Sequence, residues 1–110
     1  MAQYILLLTL LPDGREAMVG NPRHLIQAAN QTDIRGVTWL GLYGVLGRFD
    51  FVSILDAPDN ESAARFSLEL GHRAGAHIET MPAVPIGTLG HPDREGVGTE
   101  PESMVQPINR

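Results

Sequence analysis

The chain has 110 residues, which is room for one domain with one modest core, and 43% of them are hydrophobic, as in ordinary folded proteins. Its net charge of -5 repels nucleic acids and anionic membranes, so we expect neither as a partner. The sequence contains no cysteine and no lysine, which excludes disulfides, thiolate nucleophiles, zinc–thiolate sites and Schiff-base chemistry. We expect a cytoplasmic protein that needs no metal and no cofactor.

The first predicted element is a strand over Tyr4 to Leu11, with the sequence YILLLTLL. Successive side chains of a strand point to opposite faces, yet almost every residue here is apolar. The segment has no basic flank and is too short to cross a membrane as a helix, so neither a signal peptide nor a membrane span fits it. Both faces of this strand must therefore be covered.

A turn and a helix are predicted next. The residues PDGRE, directly after the strand, are typical of a turn. Asn21 and Pro22 then match a helix start, because asparagine caps free N–H groups and proline fits the first helical position. Apolar residues at helical spacing give this helix a buried stripe, and Gly36 is expected to end it.

The middle of the chain predicts a β-hairpin. Its strands run from Val37 to Leu46 and from Phe49 to Asp56, and a tight turn lies around Gly47. Both strands are rich in apolar residues, so they extend the sheet that the first strand begins.

A second helix and a last strand follow the hairpin. The helix is predicted to begin with Asp59 as its N-cap and to end at Gly71 or Gly75. The last strand, AHIETMPAV, contains Pro82, which favours an edge position or a bulge because proline has no N–H to donate. The apolar stripe of the helix consists of Ala63, Phe66 and Leu70.

The end of the chain differs in composition from the rest. Residues 86–110 are rich in glycine, proline, glutamate and threonine and show no periodicity, which is typical of an extended arm. We therefore divide the chain into a folded domain, residues 1–85, and a C-terminal arm, residues 86–110.

The predicted order of strand, helix, strand, strand, helix, strand is that of a ferredoxin-like α+β fold, a four-stranded antiparallel sheet with both helices on one face. The other face is then bare. Leaving four large apolar residues of the first strand in water forgoes roughly 1.5–3 kcal/mol each. The sum is comparable with the about 5–15 kcal/mol that stabilises a whole small domain. We therefore expect a homodimer, or a larger homo-oligomer, that pairs two sheets face to face.

The segment GRFDFVSILDAPDNESAARFSLELG, from Gly47 to Gly71, resembles the GYD-domain family. That family combines a Gly-Arg-Tyr-Asp hairpin, an apolar strand, an Ala-Pro-Asp turn and an alanine-rich helix. Thr80 matches a Glu-Thr pair in the last strand of the family, and the resemblance extends, more thinly, from Ala2 to Val84. The positions that match the central motif are Gly47, Arg48, Phe49, Asp50, Ala57, Pro58, Asp59, Ala63, Ala64 and Phe66.

The resemblance implies a dimeric α/β barrel, because GYD proteins are grouped with that superfamily. Its members include cofactor-free monooxygenases, small-ring isomerases, haem-binding enzymes and stress-induced proteins, so the fold implies no single activity. One position departs from the family pattern. Phe49 stands where the family usually has tyrosine, so any role of that phenol hydroxyl is lost.

The predicted hairpin carries the candidate ligand-binding residues. Arg48 and Asp50 flank Phe49 on one strand face, where they could clamp a carboxylate, form an ion pair or cap the backbone. Trp39 and Tyr43 share a strand face with a glycine between them, and could wall a pocket for a flat ligand or anchor a dimer interface. We expect Trp39, Tyr43, Arg48 and Phe49 to contact a ligand.

Candidate catalytic residues are few. The histidines, His24, His72, His77 and His91, show no metal-ligand spacing, and surface or capping roles explain each of them. If the protein is an enzyme, we expect Asp50, His24 or His77 to move the proton, with one of the two histidines facing the cavity beside the sheet.

Three functions fit this sequence. The first is a homodimeric accessory protein, or a binding module, for a small aromatic or apolar acid metabolite. The second is a cofactor-free isomerase or monooxygenase-type enzyme. The third is a structural or assembly role, in which the arm from Ile86 onward grips a neighbouring subunit.

Overall fold

The computed structural model describes residues 2–89, and most of the predicted arm, residues 90–110, lies outside the described residues. Within residues 2–89 the chain folds as an α+β domain with four strands, three α-helices and a final 3₁₀ turn. The elements are β1 (Ala2–Leu10), α1 (Pro12–Gly20), α2 (His24–Gln31), β2 (Thr38–Gly44), β3 (Phe51–Ala57), α3 (Asn60–Ala74), β4 (Ala76–Ala83) and the 3₁₀ turn (Ile86–Thr88).

The strands form one antiparallel sheet in the order β2-β3-β1-β4. β1 is central, since Leu6 lies opposite Ser53 of β3 on one side and opposite Thr80 of β4 on the other. This strand order confirms the predicted ferredoxin-like fold. Among the helices of residues 2–89, none has both the length and the apolar character that a membrane crossing requires.

β1 divides its side chains between two faces, as its alternation predicts. The side chains that point to the helices are buried, and they pack with Leu25 of α2, Leu55 of β3 and Phe66 of α3 into a single core. Burying each large apolar side chain contributes roughly 1.5–3 kcal/mol, so this layer stabilises the folded domain. The buried residues of β1 are Tyr4, Leu6, Leu8 and Leu10.

α3 begins and ends where the sequence predicts. The carboxylate of Asp59 accepts a hydrogen bond from the backbone N–H of Ser62 at 2.8 Å and so caps the first turn. Gly75, with φ of 70°, ends the helix in the left-handed conformation that glycine adopts without strain. Gly71, the alternative end, lies inside the last turn.

A pair of hydroxyl groups joins α3 to β4. The hydroxyl of Ser67 donates to the carbonyl of Ala63 at 2.9 Å, and its oxygen lies 2.5 Å from the hydroxyl of Thr80. Because the Ser67 proton is committed to Ala63, Thr80 is the donor in the second bond. This bond gives the threonine of the Glu-Thr pair a structural role between helix and sheet.

The segment PDGRE is the first turns of α1, so the predicted turn is wrong and the helix layer has three helices instead of two. Proline is accepted at the first helical position, where its missing N–H costs nothing. The contact that holds α1 in place joins it to residues about sixty positions later in the chain. Gly14 lies against the backbone of Gly75, and the N–H of Leu11 donates to the Gly75 carbonyl at 2.8 Å.

α2 begins at His24, two residues later than predicted. The side-chain oxygen of Asn21 accepts from the N–H of Arg23 at 3.1 Å, so the predicted cap forms a turn that leads into the helix. The helix ends at Gln31, well before Gly36. The carbonyl of Gln31 accepts a hydrogen bond from the guanidinium of Arg73. A side chain of α3 therefore caps a carbonyl in the last turn of α2.

Both edges of the sheet are irregular. Pro82 lies on β4, which is an edge strand, as its sequence predicts. The opposite edge, β2, has a bulge at Leu40, because Trp39 pairs with Leu55 while Gly41 pairs with the adjacent Ile54. Proline and bulges both make an edge strand a poor template for pairing with a further strand.

Candidate functional site

The sheet face that points away from the helices, which we call the open face, is lined by apolar side chains. Its central side chains are only half-buried, and two towards the sides are more exposed, Tyr43 at 57% and Met81 at 40%. Cross-strand pairing places the apolar residues next to one another on all four strands. These residues are Ile5, Leu7, Tyr43, Val52, Ile54 and Met81.

The bulge at Leu40 separates the two aromatic residues that the sequence places on one face. Trp39 pairs with buried Leu55, so its side chain lies on the helix side and packs against the core. Tyr43 pairs with Val52, which belongs to the open face. The predicted shared face is therefore wrong, because one extra residue in a strand reverses the side on which later side chains project.

The ring of Tyr43 lies flat along the open face over Gly41. A Cβ atom added to Gly41 would lie 2.9 Å from the ring and from the hydroxyl oxygen of Tyr43. Glycine at this position therefore gives the ring the space that it occupies. An aromatic ring held against the sheet in this way presents its other side to whatever covers the face.

Arg48, Phe49 and Asp50 lie in the loop between β2 and β3. Arg48 is thus in the turn region where the sequence predicts it, whereas Phe49 and Asp50, predicted to begin the second strand, precede β3. The carboxylate of Asp50 accepts from the N–H of Leu10 at 2.8 Å. The backbone N–H of Asp50 donates to the carbonyl of Leu8 at 2.9 Å. Of the three roles predicted for Asp50, these contacts fit the backbone cap, which joins the loop to the end of β1.

The cation of Arg48 lies over the ring of Phe49, with 5.6 Å between its guanidinium carbon and the ring centroid. Leu46, at the tip of the same loop, is fully exposed. The loop therefore presents an aliphatic side chain beside an arginine that its own phenylalanine holds in place. Leu46 is not among the predicted site residues, because its apolar character is equally typical of the strand to which the sequence assigns it.

The two candidate histidines lie on different sides of the molecule. His77 is exposed on the open face, where it pairs with Thr9 of β1. His24 lies at the start of α2 in the helix layer, so of the two alternatives for a histidine beside the sheet, only His77 lies on the open face. Neither of the clefts that contain these imidazoles is lined by Arg48 or Tyr43. The three proton-transfer candidates are thus not gathered in one place.

The cleft that contains His24 has a volume of 690 Å³ and lies between the start of α1 and the end of α3. Its floor is made of small residues, Gly14, Gly71 and Gly75 among them, and His72 lies on its wall. No sequence pattern signals this cleft, because its walls come from segments about sixty positions apart that meet only in the folded chain.

The electrostatics of the described residues centre on the cap of α3. The backbone N–H and the hydroxyl of Ser62 hold the pKa of the Asp59 carboxyl below its usual value. Within residues 2–89, no three histidine, aspartate or glutamate side chains lie close enough together to hold a metal ion.

Comparisons with known proteins agree with this architecture. A "Glutamine synthetase and cystathionine beta-lyase binding protein" from Thermus thermophilus is 38% identical over 91 residues, which are 81% of this chain and 95% of that protein.

Two solved structures are also similar. The crystal structure of MtbAldR (Rv2779c) matches with a TM-score of 0.56 and 21% identity. The match covers 76% of this chain and 52% of that one. The crystal structure of hypothetical protein PHS023 from Pyrococcus horikoshii matches with a TM-score of 0.48 and 18% identity, over 83% of this chain and 99% of that one.

The family model described as GYD domain matches residues 4–90, which include every helix and strand of the domain except the first two residues of β1. Together with the relative that matches along nearly its whole length, this agreement decides the family. The chain belongs to the GYD domain family.

Proposed function

We propose that this chain is a cytoplasmic accessory protein that acts as a homodimer and binds metabolic enzymes, glutamine synthetase or cystathionine β-lyase among them. The observation that carries the proposal is the relative of that name, because 38% identity along 95% of its length leaves few elements of either protein unmatched. Binding of one protein by another needs an exposed surface. Two surfaces of the fold support the proposal, the open face and the loop between β2 and β3.

The open face supports the homodimer. It groups half-buried aliphatic residues with the exposed ring of Tyr43, and aromatic residues are enriched at the centres of interfaces. Both sheet edges are irregular, at Pro82 and at Leu40, so the face is better suited to association than the edges are. Covering the face with a second copy removes apolar area from water in both subunits.

The loop between β2 and β3 supports the enzyme contact. Leu46 projects from its tip into solvent, while Arg48 is held over Phe49 and Asp50 fixes the loop to β1. A preorganised loop with an exposed aliphatic residue and a cation loses little conformational entropy when it binds. It also lies beyond the end of β2, outside the paired region of the open face.

Biolayer interferometry tests this proposal. It measures binding of the purified chain to the glutamine synthetase and to the cystathionine β-lyase of the same organism. We expect saturable binding to at least one enzyme, and Leu46→Asp should weaken it by about tenfold or more, because the charge replaces a buried aliphatic contact. Val19→Asp is the matched control, since Val19 is also exposed but lies on α1. Binding to neither enzyme contradicts the accessory role, and an unchanged affinity of Leu46→Asp removes the loop from it.

A second candidate is that the homodimer holds a small aromatic acid between its sheets. The observation that favours it is the ring of Tyr43 lying flat over Gly41, with Arg48 and Phe49 beyond the end of the same strand. In this proposal Tyr43 stacks on the ligand and Arg48 binds its carboxylate. Trp39, on the helix side of the sheet, is not adjacent to this surface.

Thermal unfolding with benzoate and phenylacetate as probes tests the second candidate. We expect these acids to raise the Tm of the wild-type chain, and Arg48→Gln to abolish most of the rise, because a ligand stabilises the folded state only at concentrations comparable with its Kd or above it. An unchanged Tm across a broad panel of aromatic acids counts against it.

A further inference from the structure

The segment from Val84 to Leu89, which we call the strap, leaves its apolar residues in water. Val84, Ile86 and Leu89 are 60%, 74% and 61% exposed, and the six residues of the strap, VPIGTL, carry no charge. Single exposed apolar residues are normal on a protein surface. Three large ones in six uncharged residues are typical of a segment that packs against another surface.

The strap starts at an edge of the sheet. It follows β4 directly and turns at Ile86–Thr88, where the N–H of Leu89 donates to the carbonyl of Ile86 at 3.1 Å. It does not cover the open face of its own subunit, because Met81 on β4 stays exposed, as do Val84, Ile86 and Leu89 of the strap. Among residues 2–89, no element fully covers the side chains of Val84, Ile86 and Leu89 or those of the open face.

The strap is unsuited to extend a sheet as a fifth strand. It contains Pro85, which has no N–H to donate to a ladder, and the 3₁₀ turn after it shortens any extended run. Its contribution must therefore come from side-chain packing, in which the aliphatic residues bind a flat apolar surface.

We propose that the strap of each subunit packs on the open face of a second copy of this chain, so that two identical strap contacts close the dimer. The inference rests on the homodimer proposed above. The lengths are compatible, since packed sheets lie about 10 Å apart. Three extended residues at roughly 3.3 Å each and a 3₁₀ turn of three residues at roughly 2 Å each span roughly 16 Å. A two-fold axis repeats the contact, so both straps and both open faces are covered together.

Sedimentation of Ile86→Asp tests the inference. Ile86 is exposed in the subunit, so the substitution leaves the fold of the subunit unchanged, whereas a charge buried against the partner's aliphatic residues weakens the dimer. We expect the dimer dissociation constant to rise by about tenfold or more. Val19→Asp, an equally exposed valine on α1, should leave the constant at its wild-type value.

Each outcome decides a different point. A dimeric wild type with an unchanged constant for Ile86→Asp overturns the strap contact and leaves the sheet-to-sheet dimer standing. A wild type that is a folded monomer overturns the dimer and the strap contact together. Binding to the partner enzymes is measured separately, so the accessory role is judged by its own experiment.

Disulfide trapping locates the contact, because the chain has no cysteine of its own. Ile86→Cys is mixed with a second variant that carries one cysteine on the open face, at Ile5, Tyr43 or Met81 in turn. We expect a disulfide-linked dimer of the two different variants from at least one pair. When Val19→Cys replaces the open-face variant, the yield of disulfide-linked dimer should not exceed the background from random collisions. Background levels from all three open-face positions overturn the inference.

Discussion

Asp59 shows how a single residue fixes the start of an element. Its carboxylate accepts the N–H of Ser62 in the first turn of α3, and Glu61 adds a second negative charge where the helix dipole favours one. The hydrogen bonds from Ser62 lower the pKa of Asp59, so the folded chain prefers the ionised form more strongly than the unfolded chain does.

We expect Asp59→Ala to lower the Tm near neutral pH, because the free N–H groups of α3 lose their acceptor. The lowered pKa gives the sign of the pH dependence. The advantage of the wild type should be complete above the unfolded carboxyl pKa of about 3.9. It should disappear as the pH falls through the lower pKa of the folded state.

Urea unfolding of both proteins across this pH range measures the effect. Asp59→Asn is the control, since asparagine caps a helix without a charge and should remove only the pH dependence. A difference between wild type and Asp59→Ala that persists unchanged at the lowest pH would contradict the assignment.

α1 exists because of the element against which it packs. A Cβ atom on Gly14 would lie 2.2 Å from the carbonyl oxygen of Gly75 and 2.5 Å from that of Ala74, and both of these are backbone atoms. The N–H of Leu11 donates to the same Gly75 carbonyl. α1 and the end of α3 are thus joined at a distance that only glycine permits.

We expect Gly14→Ala to destabilise the chain by about 1–3 kcal/mol, because the backbone of one element must move to admit the methyl group. Gly20→Ala is the control within the same helix. No atom lies within 4 Å of its added Cβ, so a stabilisation of up to about 1 kcal/mol is expected from the better helix propensity of alanine. Urea midpoints of the two variants measure both effects, and equal midpoints would refute the contact.

Within residues 2–89, the sheet has a helix layer on one side and no helix on the other. Leu6 and Leu8 are buried under the helices, whereas Ile5 and Leu7, their neighbours in β1, are covered only in part. The proposed homodimer and the strap contact both follow from this imbalance, because a second copy brings the same partly covered face and the same exposed strap.

We expect the Tm of the chain to rise with protein concentration over a roughly hundredfold range, because dissociation accompanies unfolding in a homodimer. Met81→Asp, on the open face, should lower the Tm and weaken this dependence. Leu68→Asp, an exposed residue of α3 in the helix layer, should change neither. A wild-type Tm that is independent of concentration would argue against the dimer.

The sequence by itself determined the ferredoxin-like fold, the two faces of β1, the N-cap at Asp59 and the GYD domain family, and it left Gly71 and Gly75 as alternative ends of α3. These features depend on residues close together in the chain, where alternation, helical spacing and capping chemistry leave a readable pattern. The motif from Gly47 to Gly71 is continuous for the same reason.

Only the tertiary structure decided the helix at PDGRE, the bulge at Leu40 and the position of His24. α1 depends on a contact between Gly14 and Gly75, and the bulge depends on how β2 meets β3. These contacts join residues that are far apart in sequence, so local propensity is outweighed and no short pattern records the outcome. One extra residue at Leu40 moved Tyr43 to the face opposite Trp39, and so separated two residues that alternation alone places together.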